Sequence, residues 1–279
     1  MIAHPDRRLQ PSRVTLSPLS RTALLLVDIG NTRVSAAAYA GGKRTEAERR
    51  PAQPFETAGR MLRQLWDGLP AAGARAVVVS SVCPPVLAQM HAFCEAGGIG
   101  PVLVVGDDID PPIGADLPEP HKVGTDRLCV AAAGFDKARQ ACVVADFGSA
   151  ITIDLVADND VLLGGTILPG MAMAARALHE HTALLPLVEV GAPTETLGKD
   201  TISAIRNGIF AMMVGALREI TERYATEIGK WPILIVTGGD AAAIASACDF
   251  VDHVVPDLCL DGLVLAYRNA ALTPADEED

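Results

Sequence analysis

Two aspartates occupy the same place in a repeated pattern. Leu24-Leu25-Leu26-Val27-Asp28-Ile29-Gly30-Asn31-Thr32 is an apolar run closed by a carboxylate and a tight polar turn. Cys142-Val143-Val144-Ala145-Asp146-Phe147-Gly148-Ser149-Ala150 repeats the order. A carboxylate at a strand end repels phosphate, but it can hold a hydrated magnesium ion that bridges to phosphate. Gly30 lets the backbone turn sharply and approach a ligand. Asn31 and Thr32 bring side-chain donors to the same turn. One such copy reads equally well as a strand followed by an Asx turn. Two copies, with a third run ending in a glycine turn at Val236-Thr237-Gly238-Gly239-Asp240, point to a duplicated domain holding a nucleotide between its halves.

The elements that must position these residues follow from the apolar patterning. Four apolar residues before Asp28 fit a strand covered on both faces. Val34-Ser35-Ala36-Ala37-Ala38-Tyr39 is its hairpin partner, and Gly41-Gly42 the next reversal. Residues 56–69 carry Met61, Leu62, Leu65 and Trp66 on one helical face. Residues 76–82 and 101–105 read as strands, with a helix opened by Pro84-Pro85 between them. A Pro/Gly-rich loop spans 107–120, and a helix starts near Thr125. The second half repeats the plan: strands at 142–146, 150–156 and 161–170, helices at 171–181 and 197–224, and a strand at 233–237. A helix at 240–247, a short edge strand at 251–255 and a closing helix at 261–271 complete it. This order implies an α/β fold of two similar halves with a cleft at the strand ends. The expected division is a flexible extension over 1–20, a first domain over 21–138, a second over 139–272 and an acidic tail over 273–279.

Composition narrows the function classes. With 49% apolar and 20% charged residues among 279, the chain is globular. A formal charge of −11 and only 4% aromatics argue against a nucleic-acid partner. The six cysteines form no C-x-x-C pair and sit mostly in apolar runs, which fits reduced core residues of a cytoplasmic protein. No apolar run reaches the roughly 18 residues needed to cross a bilayer.

Taken in order, five features resemble the type III pantothenate kinases, of the acetate kinase, sugar kinase, Hsp70 and actin superfamily. They are Asp28-Ile29-Gly30-Asn31-Thr32, Gly124-Thr125-Asp126-Arg127, Asp146-Phe147-Gly148-Ser149-Ala150, Gly164-Gly165-Thr166-Ile167-Leu168-Pro169-Gly170, and Gly198-Lys199-Asp200-Thr201 with its helix. The resemblance runs from Leu24 to Ala271 and implies duplicated actin-like (ribonuclease H-like) domains. It also implies ATP-dependent phosphorylation of the primary hydroxyl of pantothenate, the first step of coenzyme A synthesis. Asp126 is then the general base, ionised near the attacking hydroxyl. Arg127 either keeps it ionised or pairs with the substrate carboxylate. Gly124 and Thr125 complete the substrate motif. Asp28 orients magnesium through water while the backbone of Ile29, Gly30, Asn31, Thr32, Arg33, Val34 and Ser35 cradles phosphate. Ser149 stands beside the ATP phosphates where the family usually has Thr. Asp146 holds a monovalent cation, potassium or ammonium, or else assists Asp28 with magnesium. Thr201 touches pantothenate across a homodimer contact, or simply starts a helix.

Two departures bear on the pocket. Leu117 stands where the family usually has a Tyr, and Ile151 replaces a Thr in the second turn. His121, His179 and His181 read as surface or rim positions, and Met171 and Met173 as core or dimer filling. Two other functions compete. A phosphohydrolase of the same superfamily would use Asp126 to position water. A non-catalytic regulator of the Bvg accessory type would not need three retained aspartates.

Overall fold

Strand β1 (Thr22–Ile29) is apolar from Ala23 to Val27 because both its faces are covered. In the computed structural model, which describes residues 16–272, it is followed by β2 (Arg33–Ala40), β3 (Lys43–Arg44) and β4 (Glu48–Pro51). Then come α1 (Phe55–Asp67), β5 (Ala74–Ser81), α2 (Pro84–Gly97), β6 (Val102–Val104), β7 (Gly114–Ala115) and α3 (Thr125–Ala138). The chain continues through β8 (Cys142–Phe147), β9 (Ala150–Val156), β10 (Val161–Pro169), α4 (Met171–Glu180) and α5 (Thr201–Ile228). It ends with β11 (Ile233–Thr237), α6 (Ala241–Ala245), β12 (His253–Val254) and α7 (Leu258–Leu272).

The strands form two sheets, ordered β3-β2-β1-β5-β6, with β4 also on β2, and β12-β11-β8-β9-β10-β7. In each, the Asp-bearing strand pairs antiparallel with its hairpin partner and parallel with the strand on its other side. This is the expected α/β fold of two similar sheets. Alternation sorts the side chains into layers. Leu24 and Leu26 of β1, with Val144 of β8, face a central core shared with α3 and α7. Leu25, Val27 and Ile29 face α1 and α2. Val143, Ala145 and Phe147 face α4, α5 and α6. Helix α7 packs on α3 and also on β1 and β5, while β7 pairs with β10, so each sheet is finished by chain from the other half. The helices cross closely at Gly262, where a Cβ would run into the backbone of Cys129.

Several boundaries differ from expectation. Helix α5 starts at Thr201 and runs to Ile228, because Asp200 caps it through a capping box with Ser203. Strand β12 is only two residues long, and β10 carries a register shift between Leu162 and Gly164. The short strands β3, β4 and β7 lack the apolar alternation that would reveal them, since they are mostly exposed edges. Of the expected extension, residues 1–15 lie outside the described residues, as does the tail from 273. Leu16 and Leu19 pack on the central core, and Tyr267 Oη donates to Ser17 O at 2.9 Å. All six cysteines are free. Among the described residues no helix is long and apolar enough to cross a membrane.

Candidate active site

The inner faces of both sheets end in a carboxylate flanked by hydroxyls. Register places Asp28 opposite Ser35 on β2 and Ser80 on β5. It places Asp146 opposite Thr152 on β9 and Thr237 on β11. Each parallel-strand hydroxyl ties its sheet to the start of a central helix. Ser80 Oγ lies 3.1 Å from Thr125 Oγ1 of α3, and Thr237 Oγ1 accepts from the Leu258 amide of α7 at 3.5 Å. The two turns meet across the gap, with Thr32 Oγ1 and Ser149 Oγ 2.7 Å apart.

Between them lies a cleft of about 480 Å³. Asp28, Asp126 and Asp146 all line it, from β1, the first turn of α3 and β8 respectively. Gly30, Asn31, Thr32, Arg33, Ser35, Arg127 and Ser149 join them. Ile29 and Val34 point the other way, into the core against α1 and α2, so they offer backbone only. Gly124 and Thr125 stand behind Asp126. A Cβ on Gly124 would meet the Asp126 carboxylate at 2.5 Å. Thr201 is not in this cleft. It lines a separate apolar groove of about 840 Å³ between α4 and α5, with His181. Met171 is core, as expected, whereas the exposed Met173 reaches the cleft wall.

Converging carboxylates raise one another's proton affinity. Burial pushes Asp28 up to about 7, helped by Asp126 and then Asp146, and opposed by a hydrogen bond from Cys259. Burial, then Asp126, pushes Asp146 to about 7 as well. Burial also raises Asp126, against the pull of the Arg127 amide, which donates to its Oδ1 at 2.8 Å, and of the Arg127 guanidinium. Among the described residues no three His, Cys, Asp or Glu side chains form a metal cage. Magnesium does not require one, since it keeps several waters and takes one or two carboxylates. A cleft that crowds acidic oxygens into low dielectric favours cations, so Asp28 and Asp146 fit that need.

Asp154 and Asp257 carry no motif signal of their own. Asp154 of β9 is fully buried and grips Arg127 with both carboxylate oxygens, Oδ2 at 3.1 Å from Nε and Oδ1 at Nη2. Asp257 pairs with Arg49 and, at 3.7 Å, with Arg44, tying the start of α7 to β4 and β3. Gly238, at φ +96°, needs to be glycine. A Cβ there would strike the Asp146 carboxylate and lie 2.5 Å from Phe147 O. The departures have simple placements. Ile151 faces the α5 side of its sheet, away from the cleft, so its missing hydroxyl is not a lost ligand. Leu117 packs on the central core beside Gly164.

The fold has solved counterparts. A Baf family protein from Campylobacter jejuni superposes with a TM-score of 0.56 at 20% identity, over 86% of this chain and 94% of that one. The ethanolamine utilization protein EutJ from Carboxydothermus hydrogenoformans gives 0.51 at 16%, over 93% and 92%. Together with the paired sheets, these place the chain in the actin-like fold class. The sequence profile of the type III pantothenate kinases matches residues 24–223. The type III pantothenate kinase of Rhodospirillum rubrum is 36% identical over 251 residues, covering 88% of this chain and 98% of that protein. That of Bacillus cytotoxicus is 33% identical over 257 residues, covering 89% and 97%. The chain belongs to the type III pantothenate kinase family.

Proposed function

We propose that this protein transfers the γ-phosphoryl group of ATP to the primary hydroxyl of pantothenate, giving 4'-phosphopantothenate for coenzyme A synthesis. The observation that carries the reading is the convergence of Asp28, Asp126 and Asp146 in one cleft between two facing Asp-x-Gly turns, in a chain of this family.

Phosphoryl transfer is mostly positioning and charge stabilisation. The ATP phosphates lie against the turn from Ile29 to Ser35 and against Ser149, where backbone amides and hydroxyls donate. The Thr32–Ser149 bond opens to admit them, since both hydroxyls are then needed by phosphate oxygens. The Gly238-Gly239 turn, which lines the same cleft, takes the adenosine end. Asp126 accepts the proton of the attacking hydroxyl, and its raised affinity suits that task. Asp28 would hold magnesium through water and Asp146 a potassium or ammonium ion, supplying positive charge to the transferring group. Arg127 meets the carboxylate of pantothenate.

Dimerisation belongs to the same reading. The groove between α4 and α5 leaves Leu178 and Met212 exposed along with Thr201. A second copy seated there buries those side chains and brings Thr201 to the partner's substrate. The free cysteines are consistent with work in the reducing cytoplasm.

A coupled ADP assay tests the function, run with and without pantothenate and with sodium exchanged for potassium. ADP release that requires pantothenate and rises with potassium is expected. Phosphate release from ATP without any alcohol acceptor would identify a phosphohydrolase instead.

A further inference from the structure

Arg127 is the only residue of the Gly124–Arg127 motif whose side chain is fixed from the other half of the molecule. Its Nε donates to Asp154 Oδ2 at 3.1 Å and its Nη2 to Oδ1, a side-on fork that locks the plane of the guanidinium. The fork occupies one edge of the group. The opposite edge, carrying Nη1, remains for a second carboxylate, and Arg127 lines the cleft.

Asp154 is built in with unusual care. It has no solvent exposure, and Thr152 donates a further hydrogen bond to it. Its register partner on β10 is Gly165. A Cβ on Gly165 would collide with the Asp154 carboxylate and lie 2.6 Å from Ile153 O, so only glycine leaves room for the carboxylate to lie over β10. Tyr224 of α5 holds the same strand, its Oη donating to Ile153 O at 3.2 Å. This accounts for the second glycine of the Gly164-Gly165 pair, which the reaction itself does not use. A buried charge pair with satisfied hydrogen bonds is an expensive device to keep for stability alone. It does give a rigid, directed guanidinium. Without Asp154, Arg127 is free to fold back on its chain neighbour Asp126, whose charge it already feels.

We infer that Asp154 is a positioning residue for substrate selection: it holds Arg127 so that the free edge of the guanidinium reads the carboxylate of the acceptor. The inference rests on the kinase reading above and adds to it the residue that makes the carboxylate matter.

The test compares pantothenate with pantothenol, in which a hydroxymethyl group replaces the carboxylate, on wild type, Asp154→Asn and Arg127→Ala, with the double variant closing the cycle. For Asp154→Asn, the KM for pantothenate should rise about tenfold or more while the KM for ATP moves less than about twofold. The kcat/KM for pantothenol should hardly change, so the preference for pantothenate collapses. Asp154→Asn should add little once Arg127 is alanine, because it acts through that side chain. Thermal melting checks folding. Should Asp154→Asn melt below the assay temperature, Asp154→Glu carries the same comparison, since it keeps the charge and displaces the guanidinium. Equal loss on both acceptors, or a parallel rise in the KM for ATP, would show a merely structural role. A wild type that uses both acceptors equally would overturn the inference and leave the kinase standing. A wild type with no pantothenate-dependent ADP release would overturn both.

Discussion

Replacing Asp28 by asparagine isolates the electrostatic cost of building the cleft. Asp28 follows the apolar run of β1, and burial, then the nearby Asp126 and Asp146 carboxylates, lift its pKa from 3.8 to about 7. The sign follows from linkage. A folded-state value above the unfolded one means that the folded chain keeps a proton the unfolded chain sheds. Its stabilising contribution is complete below about pH 4 and is lost as pH rises through about 7. Three units at roughly 1.4 kcal/mol each would be about 4 kcal/mol. The carboxyl still opens on the cleft, so we halve this to about 2 kcal/mol for solvent screening. For a chain of this size that is a shift in Tm of roughly 4–8 °C. Asparagine has the same shape and no charge to desolvate. Asp28→Asn should therefore melt roughly 4–8 °C above wild type at pH 8, and the gap should close towards pH 4. Saturating magnesium and ATP should narrow the gap at pH 8 by stabilising wild type alone. Thermal melts across pH, with and without the ligands, measure it. A gap that does not change with pH would refute the electrostatic account.

Asp126→Asn should cut turnover by about 10²–10⁴-fold without lowering Tm, because it removes the proton acceptor but leaves the helix start intact; full activity in the coupled ADP assay would remove Asp126 from that role. Gly238→Ala should cost about 1–3 kcal/mol in a denaturant melt and raise the KM for ATP, since a Cβ at φ +96° strikes the Asp146 carboxylate. Met212→Glu, placed in the apolar groove between α4 and α5, should give a monomer by light scattering where wild type gives a dimer. A monomeric wild type would count against that groove as the contact.

Much of the site was legible because its signals are local. A continuous apolar run closed by an aspartate and a glycine turn announces a buried strand in a dozen residues, and a second copy stands at Cys142–Phe147. The capping of α5 by Asp200 is likewise a short-range pattern, although the helix is expected from Leu197 and begins at Thr201, behind its cap. Short exposed edges such as β4 and β7 carry no such periodicity and were missed.

The amino-acid sequence by itself determined that Asp28 and Asp146 would end equivalent strands and that a Gly-x-Asp-Arg turn would start a helix. Tertiary structure alone decided which carboxylates share a cleft, what holds Arg127, and that Thr201 stands in a different groove. Asp154 lies 27 positions from Arg127 and sits in an ordinary strand, where nothing nearby marks it as charged for a reason. Its meaning comes from α3 packing across β9. Contacts of that kind depend on how the two sheets close over the central helices, and alternation along one strand does not carry that information.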